Sequence, residues 1–128
     1  MKMRKLLASL LLLAGVAGTH AQVPPYVYPV TLGTSSIQVL PVNPLRKRVI
    51  FVNPNATALV AVCPFGPARN TNVAVVAAIN GAGCRTILPY DAFTVDGSGA
   101  SGPQLSMPSA WVGIASAAAS ALTVLEFE

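Results

Sequence analysis

The sequence predicts an all-β fold, a small antiparallel β-sandwich or compact barrel of about seven to nine short strands, and three observations carry that expectation. The 128 residues include 11 prolines and 10 glycines, and all the prolines with eight of the glycines break the chain after residue 22 into short pieces. Those pieces are rich in Val, Ile, Leu, Phe and Thr, the side chains that fit a pleated, half-buried surface. Two cysteines, Cys63 and Cys84, are placed to staple one loop of a small core.

The N-terminus comes first because it decides which residues the fold can use. Lys2, Arg4 and Lys5 precede an apolar run over residues 6–18, and Thr19-His20-Ala21 follows as a small-residue cleavage motif. The run falls short of the ~20 residues a spanning helix needs, so a signal peptide over 1–21, cut between Ala21 and Gln22, is expected rather than an uncleaved anchor. Removing 21 of the 128 residues leaves 107, enough for one domain. It also removes the single histidine, His20, and three of the eight cations. Arg46, Lys47, Arg48, Arg69 and Arg85 then face Asp91, Asp96, Glu126 and Glu128, so a chain of formal charge +4 becomes one of +1. So few charges on a small domain imply that Ser, Thr, Asn and Gly solvate it, or that copies or partners cover part of its surface.

In chain order, residues 22–36 form a Pro-rich arm or edge segment, since "QVPPYVYP" suits an extended edge and not a central strand. The sandwich domain is expected over 37–128. Candidate strands lie at 30–32, 37–40, 48–52, 57–63, 73–78, 85–88, 92–95, 111–116 and 121–127. Asn53-Pro54-Asn55 has the chemistry of a turn, which predicts a hairpin over 48–63. Asn80-Gly81-Ala82-Gly83 predicts a tight connection before Cys84, and "DGSGASGP" over 96–103 a surface loop. Residues 114–122, "IASAAASAL", are alanine-rich but too short for a stable helix and flanked by strand-like pieces; a hairpin turning near 117–120 is expected.

Cys63 and Cys84 are read as a disulfide, the alternative being two buried thiols. Closing a loop of about twenty residues is worth roughly 3 kcal/mol in the chain-entropy model. The C-x-x-C spacing of redox chemistry is absent.

Catalytic chemistry finds few footholds. Without His20 the chain has no imidazole to activate a serine or cysteine, and "GASGP" lacks the last glycine of a nucleophile elbow. Neither a cofactor nor a metal set is legible: two cysteines and no histidine cannot supply four zinc ligands, and "GAGCRT" has Thr86 where a dinucleotide loop needs its third glycine. Asp91 and Asp96 are the one carboxylate pair away from the C-terminal residues, and a hydrolase built on them is the least favoured reading. Asn55-Ala56-Thr57 matches an N-glycan acceptor but reads as a turn beside a bacterial-type signal.

Binding has better candidates. Tyr26 and Tyr28 project to one side of an extended segment, and with Trp111 they form a candidate platform for carbohydrate or a cell surface. The structural alternative places Trp111 in the core and the tyrosines over an edge. Arg46, Lys47 and Arg48 are candidate surface-contact residues. With the first two in a turn and the third opening a strand, they are expected to stay solvated and to guard that edge. Arg69 and Arg85 are too sparse to extend the triplet into a nucleic-acid face.

Three segments carry a family likeness. "NPLRKRVIFVNPNATALVAV" resembles N-P-x-R, an apolar strand ending in Asn, a Ser/Thr turn and a second strand, a pattern of small β-sandwich proteins encoded by tailed phages and prophages. "GAGCRTILPYDAFTVD" is similar to that family's G-G-I-R-L-x-P-G-x-x-[FY], with Arg85 and Pro89 in matching places and Tyr90 where glycine is usual. "PSAWVGIASAAASALTVLEFE" resembles its closing P-T-G-x-[IV]-x-A-I-A-x-x-A-G-T-x-[VL]-T-V-x-E. The likeness runs from about residue 39 to 128, with Cys63, Cys84 and the signal peptide as additions. It implies a virion-associated or surface-decorating module without catalysis. The expectation is a secreted or periplasmic, or virion-borne, structural or surface-binding β-module that associates with itself or with another protein or surface.

Overall fold

The computed structural model describes residues 25–66, 70, 73–97 and 109–128. Its eight strands are β1 (Tyr26–Leu32), β2 (Ile37–Leu40), β3 (Arg48–Val52), β4 (Val60–Pro64), β5 (Arg85–Ile87), β6 (Ala92–Asp96), β7 (Trp111–Ala115) and β8 (Ser120–Phe127). They form two antiparallel four-stranded sheets, the first in the order β1-β8-β3-β6 and the second β2-β7-β4-β5. The described residues contain no helix, and none long and apolar enough to cross a membrane.

Alternation explains the layers. In β3, Val49 and Phe51 are fully buried while Arg48, Ile50 and Val52 point outward, and β8 buries Ser120, Leu122, Val124 and Glu126 in the same period. Val49, Phe51, Leu122 and Val124 meet Leu32 of β1 and, from the second sheet, Leu40, Val60, Val62, Ile87, Trp111 and Ala115. Each fully buried Leu, Val or Phe contributes about 1.5–3 kcal/mol relative to exposure. Phe51 packs on both Trp111 and Phe93, with ring centroids 4.9 and 6.4 Å apart.

The second sheet is covered on its outer side as well. The chain over 73–84 lies across it, so that Ala77, Val75 and Cys84 pack on Cys63, Val112 and Ile114. The Cys63–Cys84 disulfide pins that layer to β4. This is why β4 reads as an unbroken apolar run instead of alternating. Val75 donates its N–H to the Gly66 carbonyl at 3.0 Å and Ala77 to the Ser36 hydroxyl at 3.1 Å. Residues 73–78 were expected as a strand; apart from a single bridge at Ala74 they are extended cover, because their partners are side chains and loop carbonyls rather than a ladder.

Two expected hairpins are arches between sheets. β3 pairs with β6 and β8, and β4 with β5 and β7, so the 53–59 connection crosses the core instead of folding back. Buried Asn53 holds the arch: its Nδ2 donates to the carbonyls of Ala58, Ile87 and Leu88 at 2.9–3.1 Å. Its Oδ1 accepts from Asn55 N and Nδ2 at 3.1 and 2.6 Å. β7 and β8 likewise belong to different sheets; the turn sits where expected, with Ala119 at φ 55°, but it links layers. Residues 26–32 are not a separate arm but a full edge strand, paired with β8 from Tyr26↔Glu126 to Leu32↔Ser120, with Pro29 tolerated at the edge. The 80–83 turn forms as expected, with Asn80 and Gly83 at positive φ.

Candidate functional site

The cationic triplet splits. Arg46, expected in solvent, is 4% exposed. Its Nη1 donates to the Ser109 carbonyl and its Nη2 to the Pro41 carbonyl, each at 2.7 Å, while Nε stands 3.3 Å from Glu126 Oε1. Asn43 Nδ2 also donates to Glu126, and to Glu128 Oε1 at 2.9 Å. A guanidinium in the interior is tolerable because its planar fork finds carbonyls and a carboxylate together. Tyr28, on the neighbouring strand, has its phenol raised above its ordinary value, first by burial and then by the Glu126 charge. The cluster ties the β2–β3 connection to β8 and is a structural lock.

Lys47 is exposed, and its backbone links the sheet's two halves, donating to Phe127 O and accepting from Gly97 N, both at 2.8 Å. Arg48 opens β3 as expected and grips Asp96 through Nε at 3.0 Å and Nη2 at 2.6 Å, with its guanidinium 6.0 Å from the Phe127 ring centre. Arg85 lies 5.6 Å from the Phe93 ring centre on the other side of the first sheet's edge strand, and Arg69 falls outside the described residues. The triplet therefore presents one exposed lysine and one ion-paired arginine.

The aromatic candidates are not assembled on one surface. Trp111 is 3% exposed and packed at a tilt against Phe51. Tyr26 and Tyr28 share a side of β1, but it is the inward side: Tyr28 packs on the core and Tyr26, 48% exposed, sits at its rim. Asp91 accepts the Ala92 N–H at 2.8 Å and is a turn residue. It and Asp96 flank β6, roughly 16 Å apart along an extended strand, beyond the reach of paired carboxylate chemistry. Among the described residues no three His, Cys, Asp or Glu gather as metal ligands.

The surface that sequence reading did not single out is the outer face of the first sheet. Register aligns Val27, Leu125, Ile50 and Thr94 in one row across β1-β8-β3-β6, and Pro29, Thr123, Val52 and Ala92 in the next. Alternation against buried Val49, Phe51 and Val124 fixes these rows as outward. One charged pair, Arg48–Asp96, closes the face at one corner beside Phe127. Four strands about 4.8 Å apart and about 20 Å long make roughly 400 Å² in projection, a size at which apolar patches are often functional. The outward Ile50, Val52 and Leu125 were the signal in the sequence, since a solvated antiparallel face alternates with polar residues there.

A second feature lies at the sandwich's open side. Where β5 and β6 run beside each other, a hollow of about 290 Å³ is lined by Val62, Cys84, Arg85, Phe93, Val95 and Trp111 among others. No protein-family model, curated protein or solved structure matches the chain.

Proposed function

We propose that this is an exported, non-enzymatic structural module that associates with copies of itself through the outer face of its first sheet. The observation that carries the reading is an asymmetry between the two sheets. The outer side of the second is packed in part by its own chain over 73–84, which the disulfide holds in place, whereas the packing found among the described residues places no such layer over the rows of Val27, Ile50, Val52, Thr123 and Leu125 on the first. A second copy suits this face because the only charges its strands present among the described residues, Arg48 and Asp96, pair with each other, so two such faces meet without an unpaired charge from these strands. The low charge of the whole chain, 12 charged side chains in 128 residues, points the same way. The likeness to phage- and prophage-encoded sandwich proteins supports the same class, a virion-associated or surface-decorating module without catalysis.

An area of this size places the contact at the weak end of specific interfaces, with affinity expected in the micromolar range. Light scattering over a concentration series of the mature chain should show reversible growth above the monomer mass. Leu125→Lys combined with Val27→Lys, two changes at surface positions, should return it to monomer without lowering its melting temperature. A chain that stays monomeric at every concentration, or association indifferent to both lysines, would exclude this face.

A further inference from the structure

We infer that the hollow at the open side of the sandwich is a binding site for a small aromatic carboxylate, held by Arg85 at its mouth and by the Trp111 indole N–H at its floor. The site lies where β5 and β6, each the last strand of its sheet, run beside one another. Burial orders its walls. Val62 and Trp111 are buried, Phe93 and Val95 half-buried and Arg85 exposed, so the hollow runs from an apolar floor to a cationic mouth.

At Arg85 the sequence puts a cation where strand alternation calls for an apolar side chain. Arg85 shares a side of β5 with Ile87, which is buried in the core between the sheets, so Arg85 belongs to the inner side as well. It reaches across to β6, where its guanidinium lies 5.6 Å from the Phe93 ring centre. Both ion pairs among the described residues belong to other arginines, Arg46 and Arg48. An inward charge also discourages an edge strand from pairing, and that alone accounts for a cation here. It does not account for a hollow of about 290 Å³ beneath the cation, nor for the Trp111 N–H, buried with no acceptor. A buried donor left unpaired is costly, so an acceptor oxygen delivered to the floor meets a group already stripped of water.

Size, shape and charge define the ligand. At about 30 Å³ for each water, the hollow has room for about ten non-hydrogen atoms, one ring with its substituents. Phe93 and Trp111 supply aromatic walls, against which a flat ring gains edge-to-face and offset contacts. The planar fork of Arg85 matches a carboxylate with two parallel hydrogen bonds. A second oxygen, on the ring opposite the carboxylate, then meets the Trp111 N–H. Phe93 and Val95 alternate along β6 with Thr94, so this site opens on the side of the sheet away from the face assigned to copies. It stands whether or not copies associate.

The test follows the indole N–H resonance of the isotope-labelled mature chain, which is unique because Trp111 is the single tryptophan. Titrated 4-methoxybenzoate should shift that resonance to saturation. With the protein unchanged, 4-methoxybenzamide keeps the ring and its oxygen but loses the charge, and should bind about tenfold more weakly, a difference worth roughly 1.4 kcal/mol. 4-Methylbenzoate lacks the acceptor and should both bind more weakly and move the indole resonance less. Hexanoate, an acid without a ring, should also bind more weakly. Arg85→Gln, a change at an exposed position, should weaken 4-methoxybenzoate about tenfold with the melting temperature unchanged, and Arg85→Lys, which keeps the charge without the fork, should fall between. An indole resonance that 4-methoxybenzoate leaves in place would overturn the inference. So would equal binding of the amide, the methyl analogue or hexanoate, or indifference to Arg85→Gln.

Discussion

Arg46 shows how far a single residue can depart from its sequence neighbourhood. Three adjacent cations read as one solvated cluster because long charged side chains ordinarily keep their heads in water. Glu126, which neutralises Arg46 within the fold, lies at the far end of the chain, where no local pattern announces it. Truncating one member strands the other in the interior, so Arg46→Met or Glu126→Gln should each cost about 3–5 kcal/mol in urea unfolding. The double replacement Arg46→Met with Glu126→Leu should cost much less than the sum. Tyr28 adds a pH signature. Its pKa is raised in the fold above the ordinary 10.0, so the fold favours the protonated phenol. The resulting stability is intact below pH 10 and declines as pH rises through the folded-state value. Melting temperatures above pH 10 should fall more steeply for the native chain than for Tyr28→Phe. Tyr90 is a third case: it replaces the glycine usual in the resembling family, is 76% exposed, and sits at φ 60°. A left-handed non-glycine residue costs about 1–2 kcal/mol, offset by the 0.5–1 kcal/mol of extra chain freedom a glycine brings, so Tyr90→Gly should stabilise by roughly 0.5–1 kcal/mol.

Among the elements, strands were legible and their partners were not. β2 and β3 fall where their β-branched runs lie, and β6 and β8 extend by only one residue beyond them. Pairing was misread at Asn53 and at Ala117–Ala119 because asparagine, proline and small residues turn a chain equally well within a sheet and between sheets. What separates an arch from a hairpin here is non-local: Asn53 bonding Ile87 and Leu88, and Asn55 exchanging bonds with Ala121 at 2.7 and 3.0 Å. The cover layer over 73–84 was invisible for a related reason, since its apolar residues have the composition of a strand but pack on a sheet face. The disulfide was legible from two cysteines in a chain expected to be exported, and it pins that layer to β4. Cys63→Ala with Cys84→Ala should lower stability by about 3 kcal/mol. Amide exchange should accelerate first over 73–84, ahead of β3 and β8.

At the scale of the molecule, low charge and an apolar outer face belong to one account. A small chain with so few charges gains from covering its apolar surface, and on the second sheet the connection over 73–84 packs over part of the outer face. On the first sheet the proposed cover is a second copy, in keeping with the structural or surface-decorating role that the resemblance implies. Of the candidate aromatics, the single tryptophan suits a small core better than a platform, and burial against Phe51 places it in the core. The outer face was legible only in part, since Ile50, Val52 and Leu125 show themselves as outward-facing and only half-buried once sheet and register are known. A dilution series of backbone amide NMR spectra on the mature chain tests this most directly. The account predicts shifts that move with concentration at Val27, Ile50, Val52, Thr94, Thr123 and Leu125 and stay still over 73–84. Spectra unchanged by dilution, or changes confined to the second sheet, would contradict it.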